Sequence, residues 1–208
     1  MARYSCAVCR LCRREGEKLF LKGERCYTSK CAIERREGGP GQHGKARKSF
    51  SNFKVQLRAK QKAKSTYGVL EKQFRGYFEK ASRAKGVTGT ELLTLLERRL
   101  DNVVYRLGFG SSRPESRQLV GHGHIAVNGK RVNIPSFLVK PGDVVTVREG
   151  SRQLSVVQGS LNTSQSRVIP SWLLFSREEF SGTVQGMPQR EQLPQNIQEQ
   201  LIVELYSR

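Results

Sequence analysis

Five cysteines and a dense set of arginines are the side chains whose types and spacing could do chemistry in this chain. Cys9 and Cys12 form a Cys-x-x-Cys, and Cys26 and Cys31 form a second pair after an intervening thirteen residues. Two short knuckles separated by a loop can bring four thiolates to one tetrahedral zinc ion. Cys6 with Cys9 is an equally good pair on spacing, and five thiolates cannot all bind one tetrahedral ion, so spacing leaves the ligand set open. A redox Cys-x-x-Cys, an iron–sulfur cluster and unliganded thiols are the alternatives. A redox pair usually accompanies a βαβ pattern, which the sequence lacks, and disulfides do not suit a chain that opens on no export signal. His122 and His124 form a His-x-His that lacks a nearby third ligand, so a polar or RNA-facing role fits them better.

The arginines and lysines give a net charge of +19 over 208 residues, unevenly spread. Residues 1–86 carry +16, residues 87–148 carry +4 and residues 149–208 carry −1. Sixteen uncompensated charges in the first 86 residues imply a polyanion partner. Anionic membrane is the competing polyanion, but no apolar run approaches the roughly 20 residues of a spanning helix. No membrane and no small-molecule substrate are expected, and a cytoplasmic place is.

The elements that must position these groups can be read from pattern. Residues 1–50 are glycine-broken, and Gly38-Gly39-Pro40-Gly41-Gln42-His43-Gly44 excludes regular structure. A basic helix is expected over 52–67 and a second over 71–85, with Phe74, Tyr77, Phe78 and Ala81 as its apolar stripe. Thr88 and Glu91 suit a capping box opening a helix whose apolar face runs Leu92, Leu96, Leu100, Val103, Leu107. Gly108 stops it. Ser112 and Glu115 repeat the arrangement, with Pro114 in the first turn of a short helix ending at Gly121. Ile125-Ala126-Val127, Asn128-Gly129 and Lys130-Arg131-Val132 read as a hairpin, and 144–147 as a further strand. Residues 150–166 are polar and uninformative. Trp172 to Phe175 suits burial, and the apolar 200–206 must dock on the rest of the chain.

The run from Arg99-Leu100-Asp101-Asn102 through Arg106, Ser112-Arg113, Arg117, His124-Ile125 and Val127-Asn128-Gly129 resembles the S4-type RNA-binding domain. The likeness extends to Met1-Ala2-Arg3-Tyr4, Pro40-Gly41-Gln42-His43-Gly44, Lys72-Gln73-Phe74-Arg75 and Glu204-Leu205-Tyr206-Ser207-Arg208. Over nearly its whole length the chain resembles the S-four family of bacterial small-subunit ribosomal proteins. The resemblance implies an α+β fold: a mostly helical, zinc-stapled N-terminal domain plus a small RNA-binding domain of two capped helices and a short, mainly antiparallel sheet. It implies a zinc-knuckle and Gly-rich basic segment over 1–50 and basic helices of the first domain over 51–88. The S4-type domain with its extension then covers 89–190, and a C-terminal segment over 191–208 docks back on the first domain. It further implies a structural ribosomal constituent that binds 16S ribosomal RNA at a multi-helix junction and promotes subunit assembly. Neighbouring ribosomal proteins and messenger RNA, where it enters the subunit, are the other implied partners, with a role in translational accuracy. In the zinc-bearing branch the ligands match Cys9, Cys12, Cys26 and Cys31, leaving Cys6 spare.

A-form RNA is recognised by shape, phosphates and 2′-hydroxyls, a task suited to arginine's planar fork. In the capped-helix unit the expected RNA contacts are Arg98, Arg99, Arg106, Arg113, Arg117, His124, Lys130 and Arg131. In the basic half they are Arg3, Arg10, Arg13, Arg14, Arg47, Lys48, Lys54, Arg58 and Lys62. Tyr4, Tyr67 and Tyr77 are candidates for stacking, Tyr77 better suited to the core. Lys45, Arg47 and Lys48 lie in the loop matching the family's messenger-facing region. An RNA-modifying enzyme would need a catalytic aspartate in a large sheet domain, and only Asp101 and Asp143 exist, both inside the RNA-binding unit. A zinc-dependent DNA regulator would need varied base-reading side chains where the helix from Asn52 has lysine and arginine.

Overall fold

The structure, a computed structural model, describes residues 4–44, 46, 51–164 and 167–207. The chain divides into two units, Met1–Leu93 with Pro194–Arg208, and Thr94–Leu193. Arg3, Lys45, Arg47 and Lys48 lie outside the described residues.

In the first unit, α1 (Cys9–Glu15), a 3-10 turn (Gly23–Cys26) and α2 (Ala32–Arg35) surround a small core of Cys12, Leu19 and Leu21, with Val8, Leu11 and Ile33 packed on it. The 16-residue α3 (Asn52–Tyr67) starts where the Ser51 hydroxyl accepts the Lys54 N–H at 3.2 Å, and stops at left-handed Gly68. Its thin apolar content is explained by what it packs against. The C-terminal helix α9 (Glu199–Tyr206) lies along it, and polar groups carry much of the contact. Buried Gln56 donates to Glu204 at 2.8 Å, and buried Lys60 reaches Glu71 at 2.7 Å. In α4 (Glu71–Arg83) the expected stripe is inward: Phe74, Tyr77 and Ala81 are buried, and Phe78 stacks on Tyr206 with centroids 4.6 Å apart. Tyr67 is buried as well, so of the tyrosines proposed for stacking only Tyr4 is exposed.

The sequence pattern suggests one helix from Thr88 to Leu107, and the structure holds two. α5 (Thr88–Glu97) ends, Arg99 is extended (ψ 135°) and bridges Leu138, and α6 (Leu100–Arg106) begins. The Leu100 N–H donates to Phe137 O and the Asp101 N–H to Pro135 O, so this loop takes the donors a continuous helix would have used internally. α7 (Arg113–Gly121) is capped by Ser112 with Pro114 in its first turn. Its Glu115 carboxylate accepts the Ser111 N–H, one residue earlier than a capping box requires.

Behind these helices lies an antiparallel sheet of order β2-β1-β3-β5-β4. Its strands are β1 (Ile125–Val127), β2 (Lys130–Arg131), β3 (Val144–Val147), β4 (Leu173–Ser176) and β5 (Ser181–Val184). Asn128 and Gly129 have φ of 52° and 76°, the left-handed pair of a type I′ hairpin, and Val127 pairs with Lys130. Residues 150–166 contain α8 (Ser155–Thr163), which pattern did not reveal. Val157 and Leu161 of α8 join Leu100, Val103, Leu107, Phe109, Val145 and Trp172 in one core. Leu173 beside Trp172 is buried, while Leu174 is exposed.

Glu71 ties the first unit together. Burial alone would raise its pKa, but hydrogen bonds from Lys60, Lys64 and the Tyr206 hydroxyl outweigh burial and bring it down to about 2. The stabilisation this lends is complete above the ordinary value of 4.5 and is lost as pH falls toward 2. Glu71→Gln should therefore be less stable than the native chain at neutral pH, with the gap closing between those two values in urea melts. A gap independent of pH would refute the assignment.

Candidate nucleic-acid interface

In the second unit the arginines expected to meet RNA are first of all braced by acids. Arg99 is fully buried, its Nε and Nη2 donating to both Asp101 oxygens at 3.0 and 2.6 Å. This corrects the expectation for Arg99, which presents no surface to a phosphate. Asp101 also accepts from Arg117 Nη1 at 3.1 Å and from the Asn102 N–H at 2.9 Å, at the helix end where a negative charge is favoured. Glu97 accepts from Arg106 through Nε at 2.9 Å and Nη2 at 2.7 Å, and from Asn102 Nδ2 at 2.7 Å. Asn102 Oδ1 then accepts Arg113 Nε at 2.8 Å, so one amide links the two arms. Arg98 donates to the Val139 carbonyl at 2.9 Å. Arg98, Arg106, Arg113 and Arg117 stay half-buried, held on one side.

The hairpin end is different. Lys130 and Arg131 are exposed, and the Arg131 guanidinium lies so close to Gly123 that any Cβ there would collide with it. Arg148 donates to the Gly123 carbonyl at 3.4 Å. His124 is half-buried beside Ser151 Oγ at 2.9 Å, with the His122 ring 6.1 Å away. Burial lowers the His124 pKa, and the charges of His122, Arg148 and Arg131 lower it further, which marks this end as a concentration of positive charge.

The basic half divides in the same way. Arg58 pairs with Glu15 and Lys62 with Glu17, so two cations expected at the RNA tie α3 to the end of α1 and the residues just after it. Arg13 donates to the carbonyls of Gly38 and Gly39 at 3.2 and 2.9 Å, fastening the glycine loop, while Lys54 is half-buried. Arg10 and Arg14 are exposed on α1. The sequence reading overlooked Lys72, Arg75, Lys80 and Arg83 of α4, all exposed. Their signal was available: they occupy the side of α4 opposite the stripe of Phe74, Tyr77 and Ala81.

All five cysteines are free thiols: Cys12, Cys26 and Cys31 buried, Cys9 half-buried, Cys6 exposed. Burial raises the Cys12 thiol, a Leu19 backbone hydrogen bond opposes it, and nearby Cys26, Cys9 and Cys31 raise it again. Burial likewise raises Cys26, whose sulfur accepts the Lys22 N–H at 3.4 Å. Cys9, Cys12, Cys26 and Cys31 thus share one neighbourhood. No group of three His, Cys, Asp or Glu among the described residues is arranged to hold a metal ion.

Cations tied by Glu15, Glu17, Glu97 and Asp101, beside exposed cations at the hairpin end and along α1 and α4, make the arrangement of a polyanion-binding protein. Comparison with known sequences defines its kind. Residues 3–97 match the Ribosomal protein S4/S9 N-terminal domain and residues 98–145 the S4 domain. The chain is 62% identical to the small ribosomal subunit protein uS4 of Citrifermentans bemidjiense and 61% identical to that of Geobacter sp. strain M21. It is 59% identical to that of Pelotomaculum thermopropionicum, each match covering 100% of both chains. The chain belongs to the uS4 family of small ribosomal subunit proteins. It is a structural, non-enzymatic component of the ribosome, which in bacteria is cytoplasmic. No helix among the described residues is long and apolar enough to cross a membrane.

Removing one member of a buried ion pair strands the other in low dielectric. Asp101→Asn should therefore cost about 3–5 kcal/mol, read as a lowered urea midpoint. A loss below about 1 kcal/mol, the level of an exposed pair, would contradict the bracing role.

Proposed function

We propose that this chain is a primary binder of 16S ribosomal RNA, gripping a multi-helix junction through phosphates and shape and so promoting small-subunit assembly. The observation that carries this reading is the sorting of cations in both units. Those tied to Glu15, Glu17, Glu71, Glu97 and Asp101 build the scaffold, and those left outward supply the RNA surface. Lys130, Arg131 and Arg148 at the hairpin end, with Arg10, Arg14 and Lys72, Lys80 and Arg83 of α4, are the contacts this assigns, Arg75 being paired with Glu79 at 3.3 Å. Half-buried Arg106 and Arg117, tied to Glu97 and Asp101, belong on this reading to the scaffold. Neighbouring ribosomal proteins, and messenger RNA where it enters the subunit, are further partners on this reading, through which the chain supports translational accuracy.

The same reading gives the N-terminal segment a structural zinc held by Cys9, Cys12, Cys26 and Cys31. Their paired spacing, their shared neighbourhood and the small apolar core beside them support it. Its contribution would be folding energy, on the order of 10 kcal/mol for such sites. Metal analysis should find zinc in the full chain and little in Cys26→Ser, whereas Cys6→Ser should retain it. Equal content in the native chain and Cys26→Ser would exclude this ligand set.

The RNA reading is tested by filter binding of the full chain to 16S ribosomal RNA at several salt concentrations, with large-subunit RNA as control. Replacing both Lys130 and Arg131 by alanine should weaken binding and reduce the slope of log affinity against log salt by roughly 1.4–1.8, two phosphates' worth. The melting temperature should not move. Indifference to 16S over control RNA, or an unchanged slope in the double variant, would overturn the assignment.

A further inference from the structure

Arg167 lies beyond residue 145, outside both family matches, in the stretch where the sequence offered no site. Its guanidinium is half-buried and unusually constrained. Nη1 donates to the Gly110 carbonyl at 3.1 Å and Nη2 to the Ser111 carbonyl at 2.6 Å, across 57 and 56 residues of chain. Its Cζ stands 4.8 Å from the centroid of the Tyr105 ring, and the Cζ of Arg113 stands 4.6 Å from the same centroid. Two guanidinium groups therefore share one buried aromatic ring, whose quadrupole holds each of them.

Among the described residues no carboxylate pairs with Arg167. The acid nearest in the chain to the carbonyls it grips, Glu115, is occupied by the Ser111 N–H and the Ser160 hydroxyl. Where Glu97 and Asp101 neutralise Arg99, Arg106 and Arg117, no carboxylate among the described residues neutralises Arg167. Carbonyls and an aromatic face orient a cation without cancelling it. Two guanidinium groups on one ring concentrate positive charge that a phosphate can complement. Lying at the N-terminus of the nine-residue α7, the pair adds to a helix end that already favours negative charge.

We propose that Arg167 and Arg113, seated on Tyr105, form a two-guanidinium site for one phosphodiester of the bound RNA. The site rests on the RNA-binding reading above and extends its surface into the part of the chain after the hairpin. Arg167 is the member that remains a free charge. Arg113, tied through Asn102 to Glu97, connects the site to the braced arginines of α6.

The test is titration of 16S ribosomal RNA with the full chain over a salt series. If the wild-type chain fails to bind at all, the RNA reading falls and this site with it, before any variant is compared. Given wild-type binding, Arg167→Gln should weaken it about tenfold and flatten the slope of log affinity against log salt by roughly 0.7–0.9. Arg167→Lys should keep the slope and recover part of the affinity, since an ammonium retains the charge but not the planar fork. A glutamine variant that melts like the native chain and binds with its affinity and slope would overturn the site while leaving the wider reading intact. Should that variant not fold, arginine-selective modification of the wild-type chain, mapped by mass spectrometry, decides instead. Shielding of Arg167 in the complex supports the site, and equal modification in free and bound chain rejects it.

Discussion

A guanidinium with no solvent exposure is the constraint around which the second unit is organised. Arg99 is too costly to bury alone, so Asp101 must take both its arms, and Asp101 can do so only if the chain turns between them. That turn is the extended residue between α5 and α6. It delivers the Leu100 and Asp101 N–H groups to the loop at 135–137 and starts α6 anew. The second oxygen of Asp101 holds Arg117 of α7. One carboxylate thereby fixes the kink, the start of α6 and the side of α7 that carries the unit's half-buried cations.

The same logic runs through the first unit. With 18 acids for 37 lysines and arginines, the acids cannot neutralise every cation, and three of them, Glu15, Glu17 and Glu71, join chain segments of this unit. Glu15 and Glu17 hold α3 to the end of α1 and the residues just after it, and Glu71 gathers α3 and α9 through two lysines and a tyrosine. Among the described residues only the acids Glu97 and Asp101 are buried outright, and the exposed cations of residues 1–86 outnumber the acids beside them because that stretch carries +16. On the proposed reading, the RNA surface is formed by the cations that these acids leave untied.

Much of the fold was legible. The span of α3, the aromatic stripe of α4 and the Asn128–Gly129 hairpin follow from capping, period and turn chemistry, which are local properties. The break at Arg99 was not, because Leu92, Leu96, Leu100, Val103 and Leu107 keep a helical period straight across it. The residue that departs is a polar one, to which apolar period is blind. α8 was missed because Ser, Gly, Asn and Thr dilute its two buried anchors, Val157 and Leu161. At the site, residue type identified arginine-rich helices but not which arginines were already engaged. That depends on partners far away in sequence, such as Glu15 for Arg58, 43 residues distant. Arg167 shows the converse: in a stretch without a motif, its geometry is set entirely by Gly110, Ser111 and Tyr105.

The central claim is that carboxylate-tied cations are scaffold and untied ones meet RNA. It is tested most directly by replacing Arg58 and Lys62, the pair on α3 that composition alone would assign to RNA, with glutamine in one chain. The account requires a lowered melting temperature and, in the folded chain, the native salt slope for binding 16S ribosomal RNA. A double variant that melts like the native chain but binds with a slope flatter by roughly 1.4–1.8 would contradict it.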